Sequence, residues 1–166
     1  DPELVAAARQ ILHAMVAAAE ADLPEASAAG PGAAGSVQAD PSRVGDHRTE
    51  LYVQRAARTA NSMKPPLGGR ALLLALGVAL DTSATLRTHP TYADLVRSLE
   101  TDDERRLRLR VLGEATMRGR RDLTQHFFVS GFLAALHGPG VAEAAGVAKE
   151  LLDARGGSGF SFADLA

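Results

Sequence analysis

The sequence predicts an all-α fold, a single helical domain of six or seven helices that is bundle-like or orthogonal. Three observations lead there. Apolar residues recur at the helical period of about 3.6 residues through most of the chain. Aromatic residues are only 4% and Trp is absent, so alanine, leucine and valine supply the core. That suits closely packed helices rather than strands, which draw on aromatic and β-branched residues. The apolar stretches are also punctuated by helix start and stop signals. With 166 residues, 46% hydrophobic and 23% charged, the chain can bury one sizeable core.

Asp1-Pro2-Glu3 is a helix start: an acidic N-cap, proline at the first helical position and an acid in the first turn. Leu4, Val5, Ala8, Ile11, Leu12, Met15, Val16 and Ala19 follow at helical spacing, and the helix should end near Leu23-Pro24. Residues 1–23 thus form an N-terminal helix or arm. Residues 24–46 shift to Ala, Gly, Ser and Pro and read as a loop or linker. A connection that long is unusual inside a compact domain, which raises the expectation of an arm that packs on a partner chain, a homo-oligomer built through the N-terminal helix.

Residues 47–166 are expected to form the helical core domain. Helical character resumes at Asp46 and runs to about Ser62, and Met63 to Gly69 is a break. Arg70 to Arg87 reads as the central buried helix, closed by His89-Pro90, with a short helix from about Thr91 to Glu100 after it. Thr101-Asp102-Asp103-Glu104 is a capping box. The Leu-Arg alternation over Arg106–Val111 also fits a strand, and the box decides for helix. A helix from about Arg120 to His137 is stopped by Gly138-Pro139-Gly140, and another from Val141 to Ala154 by Gly156-Gly157. Ser161-Phe162-Ala163-Asp164 repeats the Ser-x-x-acid cap as the sequence stops, an ending that reads as a truncation.

Charge and composition narrow the function classes. A net charge of -2 and a pI near 6.2 give no global attraction for nucleic acid or anionic lipid. The arginines at 105, 106, 108, 110, 118, 120 and 121 are interspersed with Asp102, Asp103, Glu104 and Glu114 and lack interleaved aromatics for base stacking. No nucleic-acid partner is expected. With no cysteine, disulfides, thiolate catalysis and Cys-ligated metals are excluded. Only Lys64 and Lys149 are lysine among the 18 basic residues, which reads as the codon bias of a GC-rich bacterium. The best apolar run, Ala71 to Leu80, falls well short of the roughly 20 residues that span a bilayer, so no transmembrane segment is expected. The chain opens on Asp1, which leaves both a cytoplasmic protein and one exported to the bacterial envelope open.

The candidate site lies in the last third. Asp122, His126 and Ser130 are spaced four apart on one predicted helix, beside Phe127, Phe128, Val129, Phe132 and Leu133, so a polar stripe enters an apolar region. A histidine with an orienting carboxylate one turn away is what a general base or metal ligand needs. The same stripe equally serves as a core histidine bonded to Asp122, with Ser130 on the carbonyl one turn back. On the next helix Glu150 and Asp153 are three apart and share a surface. They suit a divalent metal or acid/base work, while Lys149 and Asp153 also make an ordinary i,i+4 pair on a solvated face. Gly156 to Ser161 matches no phosphate loop, and Asp164 most simply caps a last helix. His13, His47, His89 and His137 have no partner at metal-ligand spacing. Two helices joined by a short turn form an antiparallel hairpin, which would gather Asp122, His126, Glu150 and Asp153 at one end.

The runs Gln125-His126-Phe127-Phe128-Val129-Ser130, Lys149-Glu150-Leu151-Leu152-Asp153 and Gly157-Ser158-Gly159-Phe160-Ser161-Phe162-Ala163-Asp164-Leu165 resemble, in order, three segments of the YfiM-type predicted bacterial lipoproteins. The His-Phe element is more remotely similar to that of the VanZ-like membrane proteins. The resemblance covers about residues 122–166 and implies an envelope association and a site there, without naming a reaction. The chain departs from it in lacking a lipid-attachment cysteine and in placing Arg121-Asp122 where a Lys or Asp-Lys often precedes the histidine.

Two functions follow. One is a non-catalytic structural or interaction module in which these polar residues form a buried hydrogen-bond network. The other is a metal-dependent or acid/base hydrolase in which His126, Glu150 and Asp153 are ligands or acid/base partners, supported by Asp122, Ser130, Lys149 and Asp164. Its substrate would be a small molecule or an envelope fragment.

Overall fold

A computed structural model describes residues 1–21, 44–65, 67–112, 114–138 and 140. Its helices are α1 (Pro2–Ala21), α2 (Asp46–Asn61), α3 (Leu67–Leu80), α4 (Thr85–Thr88), α5 (Ala93–Leu99), α6 (Asp102–Leu112) and α7 (Arg121–His137). The fold is all-α, as the sequence predicts. Two short strands, β1 (Val44–Gly45) and β2 (Glu114–Ala115), pair in parallel and tie the start of α2 to the start of the α6–α7 connection.

Two start signals act as their chemistry requires. Asp1 Oδ1 accepts the backbone N–H groups of Glu3 and Leu4 at 3.1 and 3.2 Å, the orphan donors of a first turn. At α6 the Glu104 N–H donates to Thr101 Oγ1 at 3.3 Å, while the Thr101 N–H donates to Glu104 Oε2 at 2.7 Å. That reciprocal pair settles the Leu-Arg alternation as helix.

Helix α3 is the centre of the molecule and packs chiefly against α7, α1 and α2. The α3–α7 crossing is close because Gly77 lets it be. A Cβ there would lie 2.5 Å from Phe132 Cβ and 2.9 Å from the Phe128 carbonyl oxygen. Phe132 is fully buried at this contact, and Leu74, Ala75 and Val78 of α3 are buried in the same core.

Helix α1 is a core element. Leu4, Ala7, Ala8, Ile11, Leu12, Met15 and Ala19 are all buried, and the helix contacts α2, α3, α5 and α6. By length and composition it is also a helix that could cross a bilayer, with 20 residues and a mean hydropathy of 1.2. The count of uninterrupted apolar residues misses this, because Arg9, Gln10 and His13 interrupt the run. In this fold its apolar stripe faces the protein's own core.

The central helix departs from expectation. It ends at Leu80 and not near Arg87, and a separate short helix follows. The cause is Asp81, whose carboxylate turns back on the chain. Oδ1 accepts the Thr85 N–H at 3.2 Å and the Ser83 hydroxyl at 2.9 Å, and Oδ2 accepts the Leu86 N–H at 2.7 Å. Such a side chain offers the backbone an alternative to continuing the helix. Ala84 completes the turn in the left-handed region, at φ 64°.

Candidate functional site

The residues singled out in the sequence fall into two groups. Glu150, Asp153, Lys149 and Asp164, with the helix expected from Val141 and the expected Ala/Gly-rich linker as far as residue 43, lie outside the described residues. Asp122, His126 and Ser130 lie on α7, with Asp122 exposed and the other two half-buried. The Asp122 carboxylate is turned to the Arg120 guanidinium, with Nε 3.2 Å from Oδ1 and Nη2 on Oδ2. Its hydrogen bond with Arg120 holds its carboxyl below the usual carboxylate range. Asp122 therefore keeps its charge on the surface with Arg120 and does not orient the His126 ring. Among the described residues no three His, Asp or Glu side chains converge as a metal ion would need.

The residue of this segment that enters a buried network is the neighbour, Gln125. Its amide donates to Asp81 Oδ1 at 3.2 Å and to the Ser83 hydroxyl, so α7 is latched to the α3–α4 turn. A second network lies deeper. Glu100 and Arg108 are each only 2% exposed. Arg108 donates from Nε to Glu100 Oε1 at 2.5 Å, from Nη2 to Oε2 at 3.0 Å and from Nη1 to the Ala79 carbonyl at 2.6 Å. Arg87 donates to the Glu100 carbonyl at 3.0 Å and to Asp102 at 2.6 Å, and that contact holds the Asp102 carboxyl below its ordinary range. A planar guanidinium suits both jobs, gripping a carboxylate with two donors and a carbonyl with a third. No buried side-chain nitrogen or oxygen among the described residues lacks a partner.

The surface offers something different. Between α1 and the α5–α6 corner runs a groove of about 230 Å³, lined by Leu12, His13, Val16, Ala17, Glu20, Glu100, Glu104 and Leu107. By comparison, a dry apolar cavity of roughly 150 Å³ holds a benzene ring. Its position follows from the helix period, since His13, Val16, Ala17 and Glu20 are one stripe of α1, adjacent to the buried stripe. The groove's polar edge is a histidine–carboxylate pair. His13 Nε2 lies 3.0 Å from Glu104 Oε1, and Arg9 Nη2 reaches the same oxygen at 2.6 Å. The Glu104 carboxyl sits below its usual range, first because Thr101 bonds it and then through the charges of Arg9 and His13.

His13 carries the orienting carboxylate that the sequence places beside His126. Spacing along the chain gives no sign of it, because His13 lies on α1 and Glu104 on α6. The available signal was indirect: α1 has a polar residue, His13, between two apolar stripes, and the capping-box glutamate sits at the helix end that α1 crosses. No Ser, Thr, Tyr or Cys is among the residues that line the groove.

No protein-family model matches the chain, and neither a curated protein nor a solved structure is significantly similar to it.

Proposed function

We propose that this protein is a non-catalytic helical module, a scaffold locked by buried polar networks, whose α1–α6 groove receives a small, largely apolar ligand. The observation that carries the reading is the groove, apolar along Leu12, Val16, Ala17 and Leu107 with a His13–Glu104 pair on its edge. A mostly apolar concavity with a few convergent polar groups is what small-molecule recognition uses. The satisfied interior supports the non-catalytic side, since the two carboxylates buried among the described residues, Asp81 and Glu100, are committed to hydrogen bonds that hold helices in place. The Arg120 partner of Asp122 weighs against the hydrolase reading at His126, which needs that carboxylate as orienter.

Because the chain contains no Trp, the fluorescence of an indole probe is read without tryptophan background. Tryptophol, a neutral indole alcohol, is expected to bind saturably with a blue shift of its emission. Ala17→Phe, which fills the groove from an exposed position, should abolish the shift, and His126→Ala should leave it intact. A shift that survives Ala17→Phe, or no saturable binding at all, contradicts the reading.

A further inference from the structure

The groove has a charge as well as a shape. Three glutamates and one histidine line it, and neither lysine nor arginine does. Two of the three carboxylates are occupied. Glu100 is held by Arg108 through both oxygens, and Glu104 is shared among Arg9, His13 and the Thr101 N–H. Glu20 differs. It lies two turns along α1 from His13, is exposed at the groove's far edge, and enters no hydrogen bond or ion pair with a described residue. Between it and the His13–Glu104 pair lie Val16 and Ala17, with Leu12 and Leu107 forming the floor.

That arrangement is selective. An apolar body on the floor excludes water from the groove, and a charged hydrogen bond made beside it is stronger than the same bond in open solvent. A ligand carboxylate would meet Glu20 as a like charge and be disfavoured, whereas the charge of Glu104 is offset by Arg9. A ligand ammonium would find in Glu20 an acceptor that gives up no existing partner to receive it.

We propose that the α1–α6 groove selects small apolar cations, a protonated primary amine carried on an aromatic or alkyl body, with Glu20 as the counter-charge and Leu12, Val16, Ala17 and Leu107 as the seat of the body. The inference rests on the groove reading above and adds the ligand's charge to it.

Three indoles of nearly equal size separate charge from shape: tryptamine with an ammonium, tryptophol with a hydroxyl and indolepropionate with a carboxylate. Each is titrated by its own fluorescence into the wild-type chain, the Glu20→Gln variant and the Ala17→Phe variant. Tryptamine is expected to bind about tenfold more tightly than tryptophol, as a charge-assisted bond exceeds a neutral one, and indolepropionate more weakly than both. In Glu20→Gln the affinity for tryptamine should fall to that for tryptophol, which itself stays unchanged. Ala17→Phe should remove all three. If tryptophol binds as tightly as tryptamine, or if the preference for tryptamine persists in Glu20→Gln, cation selection is wrong while the groove stands. If no probe binds wild type more tightly than Ala17→Phe, the groove reading fails and the selection with it.

Discussion

At the scale of single residues, the molecule uses arginine at helix ends, alone or beside a glycine stop such as Gly138. The last carbonyls of a helix lack intrahelical donors, and here guanidinium groups supply them. Arg48 donates to the Val111 and Leu112 carbonyls at the end of α6 at 3.2 and 3.1 Å, joined by the Tyr52 hydroxyl on Leu112. Arg70 reaches the Ala135 carbonyl of α7 at 3.0 Å, and Arg108 the Ala79 carbonyl of α3. Each also brings positive charge to the negative end of a helix. The arginine-rich composition therefore has a structural use beyond codon bias. Sequence alone hides it, because each donor and acceptor come from distant segments. The Glu100–Arg108 pair is the most exacting case. Glu100→Gln leaves a buried guanidinium without its counter-charge and should destabilise the fold by about 3 kcal/mol, read as a lower denaturant midpoint with an unchanged slope. A loss under about 1 kcal/mol would mean that water compensates Arg108, contrary to the dry packing described.

At the scale of elements, the boundaries set by local chemistry were legible and those set by tertiary contacts were not. The N-cap of α1, the capping box of α6 and the stop of α7 at Gly138, with φ 91°, all depend on residues within a few positions of each other. The end of α3 was misplaced because Leu86 continues the apolar period, whereas the decisive residue, Asp81, acts by folding back on the next turn and by receiving Gln125 from α7. The close approach of α3 and α7 through Gly77 was likewise invisible, since an internal glycine in a helix pattern reads only as a weak point. Gly77→Ala puts a methyl into Phe132 and the Phe128 carbonyl, and backbone on one side cannot yield. A loss of about 1 to 3 kcal/mol is expected, despite alanine's better helix propensity. A stabilised variant would show that the two helices separate at little cost.

At the scale of the whole molecule, what the sequence concealed most completely was the groove. Its floor and edge come from two distant stretches of the chain, α1 and α6, and its polar pair joins a histidine with no local partner to a glutamate already explained by its cap. The stripe of Asp122, His126 and Ser130 was easy to read because it is local. The structure gives Asp122 to Arg120 and makes Gln125, one residue before the histidine, the link into the interior. The central claim, a proposal, is thus one of location: recognition between α1 and α6. It is tested most directly by nuclear magnetic resonance, following ring-current shifts of side-chain methyl groups as tryptophol is added. The account predicts saturable shifts confined to Leu12, Val16, Ala17 and Leu107. Shifts centred instead on Val129 and Leu133 of α7, beside His126, would contradict it.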